Sequence, residues 1–279
     1  MPPRRLRLDA ELVRRGLARS REHASQLIAE GRVKVSGATA TKPATAVTTD
    51  AAIVVRDDVD QVDYVSRGGH KLAGALTAFA PHGVDVAGKR CLDAGASTGG
   101  FTDVLLRGGA REVVAVDVGY GQLAWSLQSD DRVVVHDRTN VRDLTLDIIG
   151  EPADLVVGDL SFISLELVLD ALLSVTAPDG ELALMVKPQF EVGKDRVGKG
   201  GVVRSLELRA EAVTTIAGAA ATRGWGAVAV TTSPLPGPSG NVEFFLLLRR
   251  GPAAIDADDV RAEVERSAAL GVAGERVDP

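Results

Sequence analysis

The sequence predicts an α/β fold in which a mostly parallel sheet of seven strands alternates with helices, preceded by a small α+β domain. Three observations support this prediction. An apolar run at residues 90–94 breaks into a glycine-rich turn and restarts as a helix near residue 101. Several later apolar runs end in an acidic residue. The first 60 residues instead carry short helical and alternating patterns of their own.

The composition favours a folded protein of a reducing compartment. At 279 residues and 45% hydrophobic content, the chain can bury a large core in one or two domains. No apolar stretch approaches the roughly 20 residues that a membrane span requires, and no signal peptide is recognisable at the start. The single cysteine, Cys91, cannot form an internal disulfide. We therefore expect a cytoplasmic location, and we assign no metal ligands.

Residues 4–61 form the predicted small domain. Apolar residues recur at helical spacing from Leu6 to Arg15, and a second helix is expected after Ser20, which suits an N-cap. Short strands are expected at residues 32–37, 44–47 and 53–55. Two short helices and a small sheet would present the basic side chains of this segment on one module.

Charge is distributed unevenly along the chain. Residues 1–48 carry ten Lys and Arg against four Asp and Glu, whereas the remainder carries 22 against 34. A basic module on an acidic body suggests nucleic-acid binding, although an ordinary solvated surface would show the same excess. The run SREHASQLIAEGRVKVSG resembles the small RNA-binding domain named after the fourth small-subunit ribosomal protein. The candidate RNA-binding residues are Arg4, Arg7, Arg14, Arg15, Arg19, Arg21, Arg32 and Lys34.

An acidic stretch with little periodicity separates this module from the rest. We place a linker at residues 62–66 and the second domain at residues 67–250. The second domain begins with a helix whose apolar face includes Leu72 and Phe79. Lys71 lies in the first turn of that helix, where a cation opposes the helix dipole. Lys71 is therefore a functional candidate, the alternative being a solvated lysine.

The glycine-rich turn at residues 95–100 is the most informative motif. Glycines let a backbone approach a ligand closely, and the first N–H groups of the following helix point at an anionic group. The spacing is Gly-x-x-x-Gly-Gly, with Ser97 where a dinucleotide-binding loop needs a glycine to admit a pyrophosphate. S-adenosylmethionine, a nucleoside with a carboxylate and no pyrophosphate, fits this loop better. The alternative is a glycine cluster without a ligand.

Acidic residues end three successive predicted strands. Asp117 stands 24 residues after Asp93, close to the interval at which an acid reaches a ribose diol in such folds. Asp137 and Asp159 follow the next two apolar runs. Open α/β sheets bind ligands at this edge, whereas helix capping explains any one acid more easily than all three. A fifth strand, residues 181–186, ends at Lys187 instead.

The rest of the chain completes the predicted sheet. Residues 193–199 match Gly-x-x-x-x-Gly-Lys, but Gly200 stands where a P-loop needs Ser or Thr, so we interpret them as a basic loop beside the substrate. After a helix at residues 205–223, strands at residues 226–232 and 243–248 are joined by a short turn and should be antiparallel. The tail, residues 251–279, holds one weak helix at residues 258–267 or stays disordered.

Five ordered motifs carry a family resemblance over residues 4–249. The runs are VSRGGHKL, LDAGASTGGFTDVLL, VVGDLSFISL, VKPQFEVGKDRVGKGGVV and GPSGNVEFFLLL. Together they resemble the TlyA family of haemolysin-named ribosomal RNA methyltransferases, in which an RNA-binding module precedes an FtsJ-like, Rossmann-like methyltransferase domain. The resemblance implies methyl transfer from S-adenosylmethionine to the ribose 2′-hydroxyl of cytidine in small- and large-subunit ribosomal RNA. It also implies ribosomal RNA or ribosomal subunits as partners.

The resemblance also implies the site residues. A catalytic Lys-Asp-Lys-Glu tetrad falls on Lys71, Asp159, Lys187 and Glu243. Asp117 would bind the cofactor ribose and Asp137 the adenine side. The remaining cofactor-binding residues would be Asp93, Gly95, Ala96, Ser97, Thr98, Gly99, Gly100 and Phe101.

A ribose hydroxyl is too weakly acidic to attack a methyl group unaided, so the site must supply a base or a strong polarising contact. Lys187 acts as a base only when neutral. Burial and the second cation, Lys71, favour the neutral form, whereas the two carboxylates oppose it. The sequence leaves the outcome open.

Three alternatives compete with this function. Base-amino methyltransferases commonly carry an Asn/Asp-Pro-Pro-aromatic motif after the fourth strand, where this chain has residues 159–162 without proline. A membrane-active haemolysin is the second alternative, and the absence of a spanning segment disfavours it. The third is an RNA-binding protein whose methyltransferase domain is inactive, which the intact strand-end acids disfavour.

Overall fold

The computed structural model describes residues 5–29, 31–56, 62–237 and 239–272. The chain divides into two compact units, Met1–Asp63 and Tyr64–Pro279. Arg4 and residues 57–61 of the acidic stretch lie outside the described residues, as does the end of the tail from residue 273, whereas the predicted linker at residues 62–66 lies within them.

The N-terminal unit packs two helices against short strands. Leu8, Leu12 and Ile28 are fully or almost fully buried in its core. The Ser20 hydroxyl accepts the His23 backbone N–H, which is the predicted N-cap contact. The elements are β1 (Arg5–Arg7), α1 (Leu8–Arg14), α2 (Arg21–Ala29), β2 (Val33–Val35), β3 (Ala38–Thr39), β4 (Ala46–Thr48) and β5 (Ile53–Val55).

The first predicted helix begins two residues late. Leu6 pairs with Val47, so β1 forms an antiparallel strand pair with β4 and the helix starts at Leu8. The strands β3, β2 and β5 form a second antiparallel sheet in that order. The helical spacing of Leu8 and Leu12 carries no information about strand pairing. The sequence alone therefore predicts a helix that starts at Leu6, two residues too early.

The second unit is built on the predicted seven-stranded sheet. Its order is β11-β12-β10-β9-β6-β7-β8, and every pairing is parallel except the two made by β12. This confirms the mostly parallel sheet and its antiparallel final pair. The strands are β6 (Arg90–Ala94), β7 (Glu112–Val116), β8 (Val133–His136), β9 (Ala153–Gly158), β10 (Thr176–Val186), β11 (Trp225–Thr232) and β12 (Phe244–Arg250).

Helices cover the sheet and bury two apolar clusters. One cluster is centred on Leu92, Val156 and Leu246, and the other on Phe79, Leu105 and Phe245. Cys91 is fully buried, and this burial raises the pKa of its thiol to about 12. The helices are α3 (Gly68–Phe79), α4 (Gly100–Arg107), α5 (Trp125–Gln128), α6 (Leu146–Ile149), α7 (Leu169–Ser174), α8 (Pro188–Glu191), α9 (Leu206–Ala221) and α10 (Ala257–Val272).

The tail is helical from residue 257 to residue 272. Helix α10 (Ala257–Val272) is longer than the predicted weak helix, and Val260 and Val264 are buried in the core of the second unit. The helix therefore extends beyond the predicted residues 258–267 at both ends. The apolar contacts of these two valines stabilise the helix, because in proteins most helical stability comes from packing of an apolar face.

Parallel pairing brings the functional strand ends to one edge of the sheet. Strands β6 to β10 all point the same way, so Asp117, Asp159 and Lys187 follow strands that end at this edge. Strand β12 runs in the opposite direction, and its first residue follows Glu243. The start of β12 therefore meets the ends of the other strands. Chain order reverses between β6 and β9, which is where such sheets bind ligands.

Candidate active site

The glycine-rich turn joins β6 to α4 in a conformation that only glycine adopts readily. Gly95 and Gly99 have φ values of +86° and +96°. A Cβ on Gly95 would lie 2.9 Å from the Asp159 carbonyl oxygen, and one on Gly99 would lie 2.2 Å from Leu127 Cδ1. The turn is therefore closed on its inner side, and the loop backbone lies directly against the strand that supplies Asp159.

Asp117 is tied to this turn by backbone hydrogen bonds. Its Oδ2 accepts the Ser97 N–H at 2.8 Å, and its Oδ1 accepts the Gly119 N–H at 2.7 Å. Asp137 Oδ2 accepts the Gly121 N–H at 2.9 Å. Each carboxylate has lone pairs to spare, because an ionised carboxylate accepts about four hydrogen bonds. Both side chains are therefore oriented beside the loop and able to accept ligand hydroxyl or amino groups.

Two exposed apolar side chains lie close to these acids in the sequence, and neither is among the predicted site residues. Val118 follows Asp117 directly, and Tyr120 lies two residues further on. The Arg138 guanidinium lies 4.3 Å from the centroid of the Tyr120 ring. Because Val118 is exposed directly after the predicted ribose-binding acid, it is a candidate contact for a nucleoside base.

Asp93 is a completely buried acid beneath the turn. The Thr102 hydroxyl donates to its Oδ2 at 2.7 Å, whereas its Oδ1 has no hydrogen-bond partner among the described residues. Burial raises the pKa of Asp93 to about 7, and the nearby charges of Asp159 and Asp117 add to the rise. Because burial disfavours the ionised form of Asp93, a cationic ligand bound beside it would stabilise that form.

Two lysine–carboxylate pairs lie at the same edge of the sheet. The Lys71 Nζ is 2.5 Å from Glu243 Oε2, and the side chains are only 9% and 1% exposed. The Lys187 Nζ is 2.5 Å from Asp159 Oδ1. Because Val186 pairs with Phe244, Lys187 and Glu243 flank the same point of neighbouring strands. All four predicted tetrad residues therefore lie in two ion pairs at adjacent strand ends.

Two neighbouring polar residues extend these pairs. The Lys187 ammonium also donates to Ser161 Oγ at 2.8 Å. The Gln189 Nε2 lies 3.5 Å from Glu243 Oε1, so Gln189 bridges the lysine strand and the Glu243 strand. Neither Ser161 nor Gln189 belongs to the tetrad predicted from the sequence.

Phe162 is the most exposed aromatic residue beside the tetrad. Its side chain is 91% exposed, and its φ of +65° lies in the left-handed region that bulky residues rarely adopt. Its ring centroid is 5.3 Å from that of Phe190, whose own centroid lies 6.0 Å from Lys187 Nζ. Strain of this kind costs free energy and is concentrated at ligand-binding sites. Phe162 is not among the site residues predicted from the sequence, although residues 159–162 follow a predicted strand end.

The basic loop after Lys187 is anchored by an asparagine. No strand leads directly into residues 193–199, which agrees with rejecting a P-loop. Asn241 Oδ1 accepts the Val203 N–H at 2.9 Å, and Asn241 Nδ2 donates to the Gly201 carbonyl at 2.8 Å. Lys194 and Lys199 are exposed on this loop, whereas Arg196 pairs with Glu211.

Most of the candidate RNA-binding arginines form ion pairs inside the N-terminal unit. Arg7 and Arg21 pair with Asp9, Arg14 and Arg15 pair with Glu11, and Arg19 pairs with Asp63. The Arg32 Nε donates to the Arg56 carbonyl, and Lys34 lies in β2. Neither unit, over the residues described, groups three or more His, Cys, Asp or Glu side chains that could hold a metal ion.

The sheet order, the glycine-rich turn and the acids at successive strand ends define a nucleotide-binding methyltransferase fold. Models of the FtsJ-like methyltransferase and of the S4 domain match residues 64–250 and 6–53. The chain belongs to the FtsJ-like methyltransferase family.

Three relatives show how far the likeness extends. The 16S/23S rRNA (cytidine-2′-O)-methyltransferase TlyA of Mycobacterium tuberculosis is 57% identical, covering 96% of this chain and 99% of that protein. Hemolysin A of Brachyspira hyodysenteriae is 36% identical over 86% of this chain and 98% of its own. A haemolysin-named structure from Streptococcus thermophilus has a TM-score of 0.75 at 33% identity, covering 96% of this chain and 97% of the other. These matches confirm the family resemblance predicted from the motifs.

Proposed function

We propose that this protein transfers a methyl group from S-adenosylmethionine to the 2′-hydroxyl of cytidine in 16S and 23S ribosomal RNA, as the name of its mycobacterial relative states for that protein. The observation that carries the proposal is the two lysine–carboxylate contacts beside the glycine-rich turn, of which the Lys71–Glu243 contact is buried on both sides. They lie at the sheet edge where methyl donor and acceptor would meet. A ribosomal RNA substrate supports a cytoplasmic location for the protein.

The residues around the turn fit S-adenosylmethionine. Asp117 would accept the ribose hydroxyls, Val118 would contact the adenine, and Asp137 would lie on the adenine side. Asp93 offers a buried carboxylate to a ligand that carries positive charge on its sulfonium and amino groups. When bound, S-adenosylmethionine supplies an electrophilic methyl group.

The tetrad would place and activate the ribose hydroxyl. The hydroxyl oxygen must lose its proton as the new C–O bond forms, and the Lys187–Asp159 pair lies where that proton can be accepted. Asp159 holds the Lys187 ammonium in the structure, so either a neutral Lys187 or Asp159 itself takes the proton. The Lys71–Glu243 pair fixes a second buried charge beside the site, and Gln189 connects it to the Lys187 strand.

Phe162 would hold the target base. An aromatic ring exposed to 91% beside the tetrad offers a face on which a base can stack, and stacking contributes about 1–3 kcal/mol per base. Its left-handed backbone presents the ring at the end of the β9 loop. Contacts of this kind are typical of proteins that bind single-stranded RNA.

The alternatives find less support. The segment after β9 has no proline, unlike the motif of base-amino methyltransferases. Within the described ranges, no helix combines the length and apolar character needed to cross a membrane. The tetrad pairs and the closed turn disfavour an inactive domain.

Single-turnover methylation of ribosomal RNA tests the role of Lys187. We expect Lys187→Ala to slow transfer by about 10²- to 10⁴-fold, the usual size of general-base assistance. The matched control is Lys89→Ala, because Lys89 forms a 2.6 Å pair with Glu181 at the opposite edge of the sheet. Turnover of the control should stay near that of the parent. Equal losses in both variants would contradict the proposed site.

Lys187→Arg separates the two proton acceptors. Arginine keeps the charge and the pair with Asp159 but does not deprotonate in proteins. Loss of turnover with normal RNA and cofactor binding supports Lys187 as the base. Near-parent turnover instead assigns the proton to Asp159 and a purely electrostatic role to Lys187.

A further inference from the structure

Two buried acids in α1 each hold two of the candidate RNA-binding arginines. Asp9 and Glu11 are 3% and 0% exposed, although both lie in a strongly basic segment. Neither acid faces solvent, so neither repels RNA from the surface as an exposed carboxylate would. Within the described part of the chain, their side-chain hydrogen bonds are with arginines or the local backbone.

The contacts fix the orientation of the guanidinium groups. Arg7 donates to Asp9 through Nε at 3.0 Å and Nη2 at 2.9 Å, and Arg21 Nη2 donates to the same Asp9 Oδ2 at 3.0 Å. Arg14 binds Glu11 in the same two-point manner, at 2.7 and 2.6 Å. Asp9 therefore brings together two cations that would otherwise repel each other.

The arginines remain accessible although they are held in place. The side chains of Arg7, Arg14 and Arg21 are 52%, 55% and 59% exposed. A guanidinium carries five N–H donors, so a two-point contact leaves further donors for a phosphate. The Arg7 and Arg14 contacts are the main reason that the pKa values of Asp9 and Glu11 lie well below their usual range. The acids thus stay ionised and keep holding the arginines at neutral pH.

We propose that Asp9 is a positioning residue for RNA binding, with Glu11 acting in the same way: each buried carboxylate pre-orders arginines so that they meet phosphates without further loss of side-chain entropy. This inference rests on the proposed function and on the prediction that the N-terminal unit binds ribosomal RNA. Ordering a long side chain at an interface costs conformational entropy, and a carboxylate that has already ordered two arginines reduces that cost.

Net charge and pre-ordering of the arginines predict opposite effects of removing Asp9 on RNA affinity. Removing a negative charge should strengthen RNA binding if only net charge matters. Pre-ordering instead predicts that Asp9→Asn weakens binding, on the order of three- to tenfold, because Arg7 and Arg21 lose their common partner. Glu22→Gln is the matched control, since Glu22 is an exposed acid on α2, next to Arg21. The RNA affinity of the Glu22→Gln protein should equal or exceed that of the parent.

The test uses the full-length chain and a fluorescently labelled ribosomal RNA fragment, with dissociation constants measured over a range of salt concentrations. Asp9→Asn is compared with the parent and again in an Arg7→Gln/Arg21→Gln background. Positioning predicts that Asp9→Asn weakens the parent but has little further effect once the two arginines are gone. An equal loss in both backgrounds would mean that Asp9 only maintains the fold and would overturn the inference.

Two other results would also overturn the inference. Tighter binding by Asp9→Asn overturns pre-ordering and leaves the RNA-binding role of the arginines intact. If Arg7→Gln/Arg21→Gln binds RNA like the parent, the RNA-binding role of this surface fails, and the inference fails with it. S-adenosylmethionine affinity, measured by calorimetry, should stay constant in all variants, because the changes lie outside the methyltransferase unit.

Discussion

Removing the carboxylate of Glu243 should strongly destabilise the methyltransferase unit. The Lys71 side chain is only 9% exposed, and its ammonium lies 2.5 Å from Glu243 Oε2. Glu243→Gln keeps the shape of the side chain but leaves a buried ammonium without its counter-charge. Breaking a buried ion pair on one side typically costs 3–5 kcal/mol, so we expect a loss of about 3 kcal/mol in the free energy of unfolding.

A double variant separates charge from shape. Lys71→Met combined with Glu243→Gln removes both buried charges, and such replacements are often neutral or stabilising. We therefore expect the double variant to recover most of the stability lost by Glu243→Gln while its methyl transfer stays impaired. This combination would show that the pair is kept for function rather than for stability.

Urea unfolding at neutral pH provides the assay, and an exposed pair provides the control. Arg223 and Asp170 are 2.7 Å apart, but their side chains are 28% and 79% exposed. Asp170→Asn should cost less than about 1 kcal/mol, as is usual for surface pairs. If Glu243→Gln costs no more than Asp170→Asn, or if the double variant is the least stable of the three, the argument from burial is wrong.

Three further predictions concern the rest of the site. Asp117→Ala should lose about 1–3 kcal/mol of S-adenosylmethionine binding by calorimetry, and an unchanged affinity would exclude the ribose contact. Phe162→Ala should impair RNA binding and turnover while cofactor affinity stays constant; a lower cofactor affinity would refute base stacking. Burial raises the Asp93 pKa to about 7, so this group stabilises the fold most in acid and loses that contribution as pH rises from about 4 through 7. The stability of Asp93→Asn relative to the parent should therefore increase over this range, by on the order of 4 kcal/mol, since each pKa unit is worth about 1.4 kcal/mol. A constant difference in urea unfolding would contradict the assignment.

Much of the fold follows from local pattern. Apolar runs that end in acids predict parallel strands, because buried strands are nearly continuous in apolar residues. The short turn before Glu243 predicts the antiparallel pair, and the structure confirms both. The helix of the tail is harder to predict, because Val260 and Val264 pack in a core formed by residues distant in the sequence.

The partners of charged residues lie beyond sequence reasoning. Lys71 and Glu243 are 172 positions apart, and only the folded sheet decides that they form one pair and Lys187 and Asp159 the other. The same holds for the burial that raises the Asp93 pKa and for the exposure of Phe162. In the N-terminal unit, the excess of arginine is visible in the sequence. The two acids that hold these arginines are recognisable only once their burial is known.

Mapping the methylated atom tests the central claim most directly. Ribosomal RNA would be incubated with the full-length protein and isotope-labelled S-adenosylmethionine, digested to nucleosides and analysed by mass spectrometry. We predict label in 2′-O-methylcytidine with the parent and with Lys89→Ala, and its loss with Lys187→Ala. Label on a base, label on another nucleoside or no label from the parent would contradict the proposed function.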